Sequence, residues 1–110
     1  MATRTSLFFS LADLLLNNTN MNAVGIDMGK DSFFASLGDR PSAEFANDAA
    51  GIRGLVRAMG SSGLVPSGTT VGVEATGTYH LLLAGTLRSE GWGIVVVNPL
   101  VTSRMTKATL

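Results

Sequence analysis

A chain of 110 residues, 45% hydrophobic and 15% charged, suits one small folded domain with a real core and excludes a disordered tail. It has no cysteine, so disulfide frameworks and thiolate metal sites are excluded, and any metal must be held by oxygen ligands or by His80, the single histidine. Eight basic and eight acidic residues cancel, so global charge lends no support to a nucleic-acid partner.

Residues 1–20 differ from the rest: Arg4, an apolar run over 7–16 interrupted by Asp13, then the polar Asn17, Asn18, Thr19 and Asn20. The run is too short to span a bilayer, and no small-x-small cleavage pattern precedes Met21. This segment is expected to be a leader or extension, weakly structured or a short helix, with the domain proper over 21–110.

Residues 23–28 read as a first strand and 32–37 as a second, joined by a turn at Gly29, Lys30 and Asp31 in an antiparallel hairpin. A turn through Gly38, Asp39, Arg40 and Pro41 leads to a short third strand over 43–46. Phe33, Phe34 and Phe45 are core candidates.

Asn47 or Asp48 can cap a helix whose Ile52, Leu55, Val56 and Met59 fall on one buried face. Gly51 and Gly54 weaken it by about 1 kcal/mol each relative to alanine, so it must be held by packing, or a neighbouring backbone must come close there. Gly60, Ser61, Ser62 and Gly63 end it, and Pro66, Ser67 and Gly68 complete the loop.

A strand over 69–74 follows, then a helix over 78–90 with Leu83 and Leu87 inward and Gly91 at its left-handed C-terminal position. The run Ile94, Val95, Val96, Val97 predicts a strand covered on both faces, as in a parallel sheet, stopped by Asn98 and Pro99. This order is that of an α/β layer fold in which a hairpin precedes strands joined by crossover helices.

Two strings carry the chemistry. Val24, Gly25, Ile26, Asp27 and Val71, Gly72, Val73, Glu74 repeat one pattern of apolar, glycine, apolar, acid, each at the end of a strand. Side chains alternate along a strand, so each acid shares its side with a glycine and has open space behind it, while the four apolar residues face a core. If the strands are adjacent and parallel, two carboxylates meet at one sheet edge, with room for a divalent cation and a phosphate.

Either acid alone could simply cap its turn, but an acid ending a central strand is costly to bury unless it is paired, hydrogen-bonded or cation-bound. Two carboxylates are still too few for a pair of magnesium ions, which take further acids, waters and phosphate oxygens. After Glu74, the turn Ala75, Thr76, Gly77, Thr78, Tyr79, His80 suits an anion such as a phosphate, or serves as an ordinary cap through Thr76 or Thr78. Tyr79 could stack on a base but is expected to pack into the core, and His80 could assist proton transfer but is expected to be a surface or capping residue. Arg104 and Lys107, with no acid after Glu90, form either a solvated basic tail or a nucleic-acid contact.

The strings 24–31, 73–80 and 95–99, taken in order, resemble the N-terminal DEDD domain of insertion-sequence transposases related to the Piv DNA invertases. The resemblance spans nearly all of 21–110. It implies an RNase H-like (RuvC-type) mixed sheet, similar to the Holliday-junction resolvase, and a two-ion Mg2+ site built from four acids, of which Asp27 and Glu74 would be the first two. It implies DNA as partner, with Thr76, Gly77, Thr78, Arg104 and Lys107 as the nucleic-acid-binding candidates. It also implies a guide RNA in some members and an oligomer when complete, while the lack of cysteine is compatible with a cytoplasmic location and the short apolar run with no membrane.

The family's later Asp-x-x-Asp pair and its serine domain have no counterpart before Leu110, so the reading is of a catalytic domain with its C-terminal part missing, inactive by itself. Two alternatives stand beside it. One is a truncated regulatory module that binds a full-length transposase or its nucleic acid. The other is a fragment of a sugar-kinase or actin-like ATP-binding domain, which also opens on Asp27, Met28, Gly29 and a hairpin but places a hydroxyl where Asp31 stands here.

Overall fold

A computed structural model of the chain describes residues 22–38 and 40–98. The expected leader over 1–20, the strand stop at Pro99, and Arg104 and Lys107 all lie outside the described residues.

Strand β1 (Asn22–Met28) turns through Gly29, Lys30 and Asp31 into β2 (Ser32–Leu37), and the two pair antiparallel with Asp27 opposite Phe34. The Gly29 N–H closes that turn on the Ser32 carbonyl at 2.9 Å, and a Cβ on Gly29 would stand 2.8 Å from the same oxygen. Strand β3 (Ala43–Ala46) continues the meander antiparallel to β2. Strand β4 (Thr69–Glu74) pairs parallel with β1, and β5 (Gly93–Val97) parallel with β4, giving the order β3-β2-β1-β4-β5. The expected α/β fold, with a mixed sheet of a hairpin followed by parallel strands, is what the chain adopts.

Helix α1 (Ala49–Ser61) connects β3 to β4 through a 3-10 turn at Pro66–Gly68, and helix α2 (Leu81–Ser89) connects β4 to β5. Ile52, Leu55 and Met59 of α1 and Leu83 and Leu87 of α2 bury into one cluster with Val24, Ile26, Phe33, Val71 and Val73. Both helices therefore cover the same face of the sheet, the face opposite to the two acids. Trp92, which no sequence pattern singled out, joins the cluster at 5% exposure just before β5.

The glycines of α1 are explained by close approach. A Cβ on Gly51 would fall 1.8 Å from the Ala46 carbonyl oxygen, and one on Gly54 would touch the Phe45 ring at 3.4 Å. Helix α1 is thus laid directly on the end of β3, where Phe45 stacks on Phe33 with ring centroids 5.6 Å apart.

Four expectations are corrected. Helix α2 begins at Leu81 rather than at 78, because residues 78–81 form a tighter turn in which Leu81 N–H donates to the Thr78 carbonyl. Phe34 is 42% exposed, since it alternates with the buried Phe33 and points away from the helices. Tyr79 lies in the exposed turn before α2 and is 49% exposed instead of packed in the core. Strand β5 is not covered on both faces: Val95 and Val96 point to opposite sides and are 40% and 42% exposed, because β4 is its one strand neighbour among the described residues.

Candidate metal and nucleic-acid site

The parallel register of β1 and β4 aligns the two repeated strings residue for residue: Val24 with Val71, Gly25 with Gly72, Ile26 with Val73, Asp27 with Glu74. Neighbouring strands lie about 4.8 Å apart, and register partners share a side, so Asp27 and Glu74 leave the sheet on the same side near the C-terminal ends of the middle strand β1 and its neighbour β4. Glu74 is buried at 7% exposure, and Asp27 is half-buried. Gly25 and Gly72 are themselves buried, so the strip behind the acids is floored by backbone.

The apolar halves of both strings do what alternation requires. Val24, Ile26, Val71 and Val73 are all buried, and they anchor the two strands to the helix layer that fixes their register. Phe34, opposite Asp27 on β2, places an exposed aromatic ring on the acid-bearing side.

Beyond β4, Ala75 N–H extends the ladder to the Val97 carbonyl at 3.0 Å, and the chain then turns through Thr76–His80. Thr76, Gly77, Thr78 and Tyr79 are exposed, and Gly77 has φ 70°, a left-handed conformation that glycine adopts without steric cost. The capping alternative for Thr76 and Thr78 fails, because His80 occupies the N-cap position of α2 and no side chain caps the helix. His80 is half-buried, and its Nδ1 is buried without a hydrogen-bond partner.

One residue of this edge was missed as a site component. Asn47 and Asp48 were equivalent capping candidates, yet Asp48 alone caps α1, its Oδ1 accepting from Gly51 N–H at 2.8 Å. Asn47 instead donates from Nδ2 to the carbonyls of Gly29 at 3.3 Å, Lys30 at 3.2 Å and Tyr79 at 2.9 Å. Only the fact that a side-chain amide follows a strand was visible beforehand.

The donor set suits a hard divalent cation: two carboxylates, adjacent on one side of a rigid sheet, offer oxygen ligands of the kind magnesium takes while keeping waters. Among the described residues no group of three or more acidic or histidine side chains converges.

The family model DEDD_Tnp_IS110, described as a transposase, matches residues 24–110. The chain belongs to this transposase family. No curated protein matches the chain. Membership of the DEDD transposases fits the mixed five-stranded sheet, and it brings DNA as substrate and divalent-metal chemistry as the family's general mode of action. Among the described residues of this transposase chain, no helix is long and apolar enough to cross a membrane.

Proposed function

We propose that the chain is the N-terminal part of a magnesium-dependent DNA transposase or recombinase acting in the cytoplasm, with Asp27 and Glu74 as the first two acids of its metal site. The observation that carries this reading is the side-by-side register of Asp27 and Glu74 at the ends of two parallel central strands. A divalent cation bound there supplies charge neutralisation at a phosphate and activation of a water.

The chain's own residues hold and orient. Asp27 and Glu74 present carboxylate oxygens from strands whose positions the core dictates. The exposed Thr76 and Thr78 hydroxyls and the Gly77 backbone N–H offer hydrogen bonds to a DNA phosphate beside them. Arg104 and Lys107 add sequence-independent attraction for the phosphate backbone. Among the described residues two carboxylates meet, fewer than a pair of cations takes, so cation binding without cleavage is proposed. A guide RNA, a full-length transposase and an oligomeric assembly are the further partners of this reading.

Calorimetric titration of the purified chain with Mn2+ and Mg2+, alongside Asp27→Asn, tests the site, and a DNA nicking assay tests the activity. Saturable binding that Asp27→Asn abolishes, without strand cleavage, is the expected result. Absence of saturable binding defeats the metal site, and robust magnesium-dependent cleavage defeats the inactivity.

A further inference from the structure

Asp27 and Glu74 sit on separate strands, and each is followed, after one more extended residue, by a turn. The turn after β1 carries the Gly29 and Lys30 carbonyls, and the turn after β4 ends with the Tyr79 carbonyl before α2 begins. Asn47 is bonded to both. Its two amide protons serve three acceptors, with Tyr79 nearest at 2.9 Å and the adjacent Gly29 and Lys30 carbonyls at 3.3 and 3.2 Å sharing the remainder.

Asn47 is itself immobilised from three directions. Its backbone N–H donates to the Asp31 carbonyl at 2.9 Å, so main chain and side chain grip the same hairpin turn. The preceding residue, Ala46, pairs with Ser32 in the β2–β3 ladder and is pressed against Gly51 of α1. The following residue, Asp48, is locked as the α1 cap. The amide orientation is dictated as well: three carbonyl oxygens converge where Nδ2 lies, and the buried Oδ1 has no donor, so rotating the amide by half a turn would set an acceptor against three acceptors.

We propose that Asn47 is a positioning residue of the transposase metal site, tying the turn after Asp27 to the turn after Glu74 so that the two carboxylates hold a fixed separation. This rests on the reading of Asp27 and Glu74 as metal ligands. The register of β1 and β4 runs to the acids themselves, and Asn47 cross-connects the two turns that lie beyond them. Groups that orient metal ligands without touching the metal commonly alter affinity by about 10- to 100-fold when removed.

The test uses the full chain and Mn2+ as probe. Asn47→Asp keeps the size of the side chain but replaces both donors by acceptors, and Asn47→Ala removes the group. Asp48→Ala is the matched control, since it loosens the same chain segment through the α1 cap without contacting either turn. Mn2+ affinity is read by calorimetry, thermal midpoint by circular dichroism, and amide hydrogen exchange of residues 29–31 and 76–80 by NMR. The expected result is a roughly tenfold or greater loss of Mn2+ affinity in both Asn47 variants, faster exchange in both turns together, and wild-type affinity in Asp48→Ala.

Loss of affinity that merely tracks the fall in thermal midpoint, Asp48→Ala included, overturns the proposal. So does loosening of one turn without the other. If the wild-type chain binds no Mn2+, the metal reading has failed, and the positioning role falls with it, while joint loosening of the turns in the exchange data would still establish the mechanical tie.

Discussion

Asp27 and Glu74 are direct register partners in the parallel β1–β4 pair, one half-buried and the other 7% exposed. If they hold a divalent cation as proposed, that cation binds the folded chain and not the unfolded one, so binding is linked to folding. A cation at about 100 times its dissociation constant should add roughly 2.7 kcal/mol to the stability of the folded chain. Thermal melts with Mn2+ and with a chelator should show a clear upward shift for the wild type and almost none for Asp27→Asn or Glu74→Gln. An equal shift in all three would place the cation elsewhere.

Gly51 and Gly85 should respond oppositely to the same substitution. Gly51→Ala drives a methyl group into the Ala46 carbonyl oxygen and should cost about 3 kcal/mol, the upper range for overpacking. Gly85→Ala, in exposed helical backbone with nothing near its added Cβ, should gain up to about 1 kcal/mol. Urea denaturation of both variants checks the contrast, and similar midpoints would refute the close approach of α1 to β3.

Phe33 is fully buried and stacks on Phe45, whereas its neighbour Phe34 is 42% exposed on the acid-bearing side. Phe33→Ala should cost about 3–5 kcal/mol, a large part of a small domain's stability. Phe34→Ala should cost far less in the same denaturation experiment. Comparable losses would mean that the acid-bearing face is a second core.

The exposed turn at Thr76, Gly77 and Thr78 should matter to DNA more than to folding. The double variant Thr76→Ala with Thr78→Ala should lower affinity for duplex DNA several-fold and make binding less dependent on salt, with the melting midpoint nearly unchanged. Gly77→Val should also lower stability by about 1–2 kcal/mol, because φ 70° is costly for a side chain. Fluorescence anisotropy across a salt series measures the first effect. Unchanged affinity and salt slope would remove the turn from the interface.

Much of this molecule was legible from local patterns. Alternation placed Val24, Ile26, Val71 and Val73 inward, the three-and-four spacing placed Ile52, Leu55 and Met59 on one face of α1, and the repeated apolar-glycine-apolar-acid string paired Asp27 with Glu74. These features follow from strand and helix periodicity, which every residue carries regardless of what packs against it. Tertiary structure decided the rest. Nothing local distinguishes Phe33 from Phe34 until β2 takes its place in the sheet, or marks β5 as half-covered until its neighbours are known. Asn47 and Asp48 are near-equivalent caps by sequence, and only the meeting of two distant turns beside the β3 end makes one of them a helix cap and the other a tie between strand ends. Burial and long-range hydrogen bonds depend on which segments the fold brings together, and that information belongs to the chain as a whole rather than to any short stretch of it.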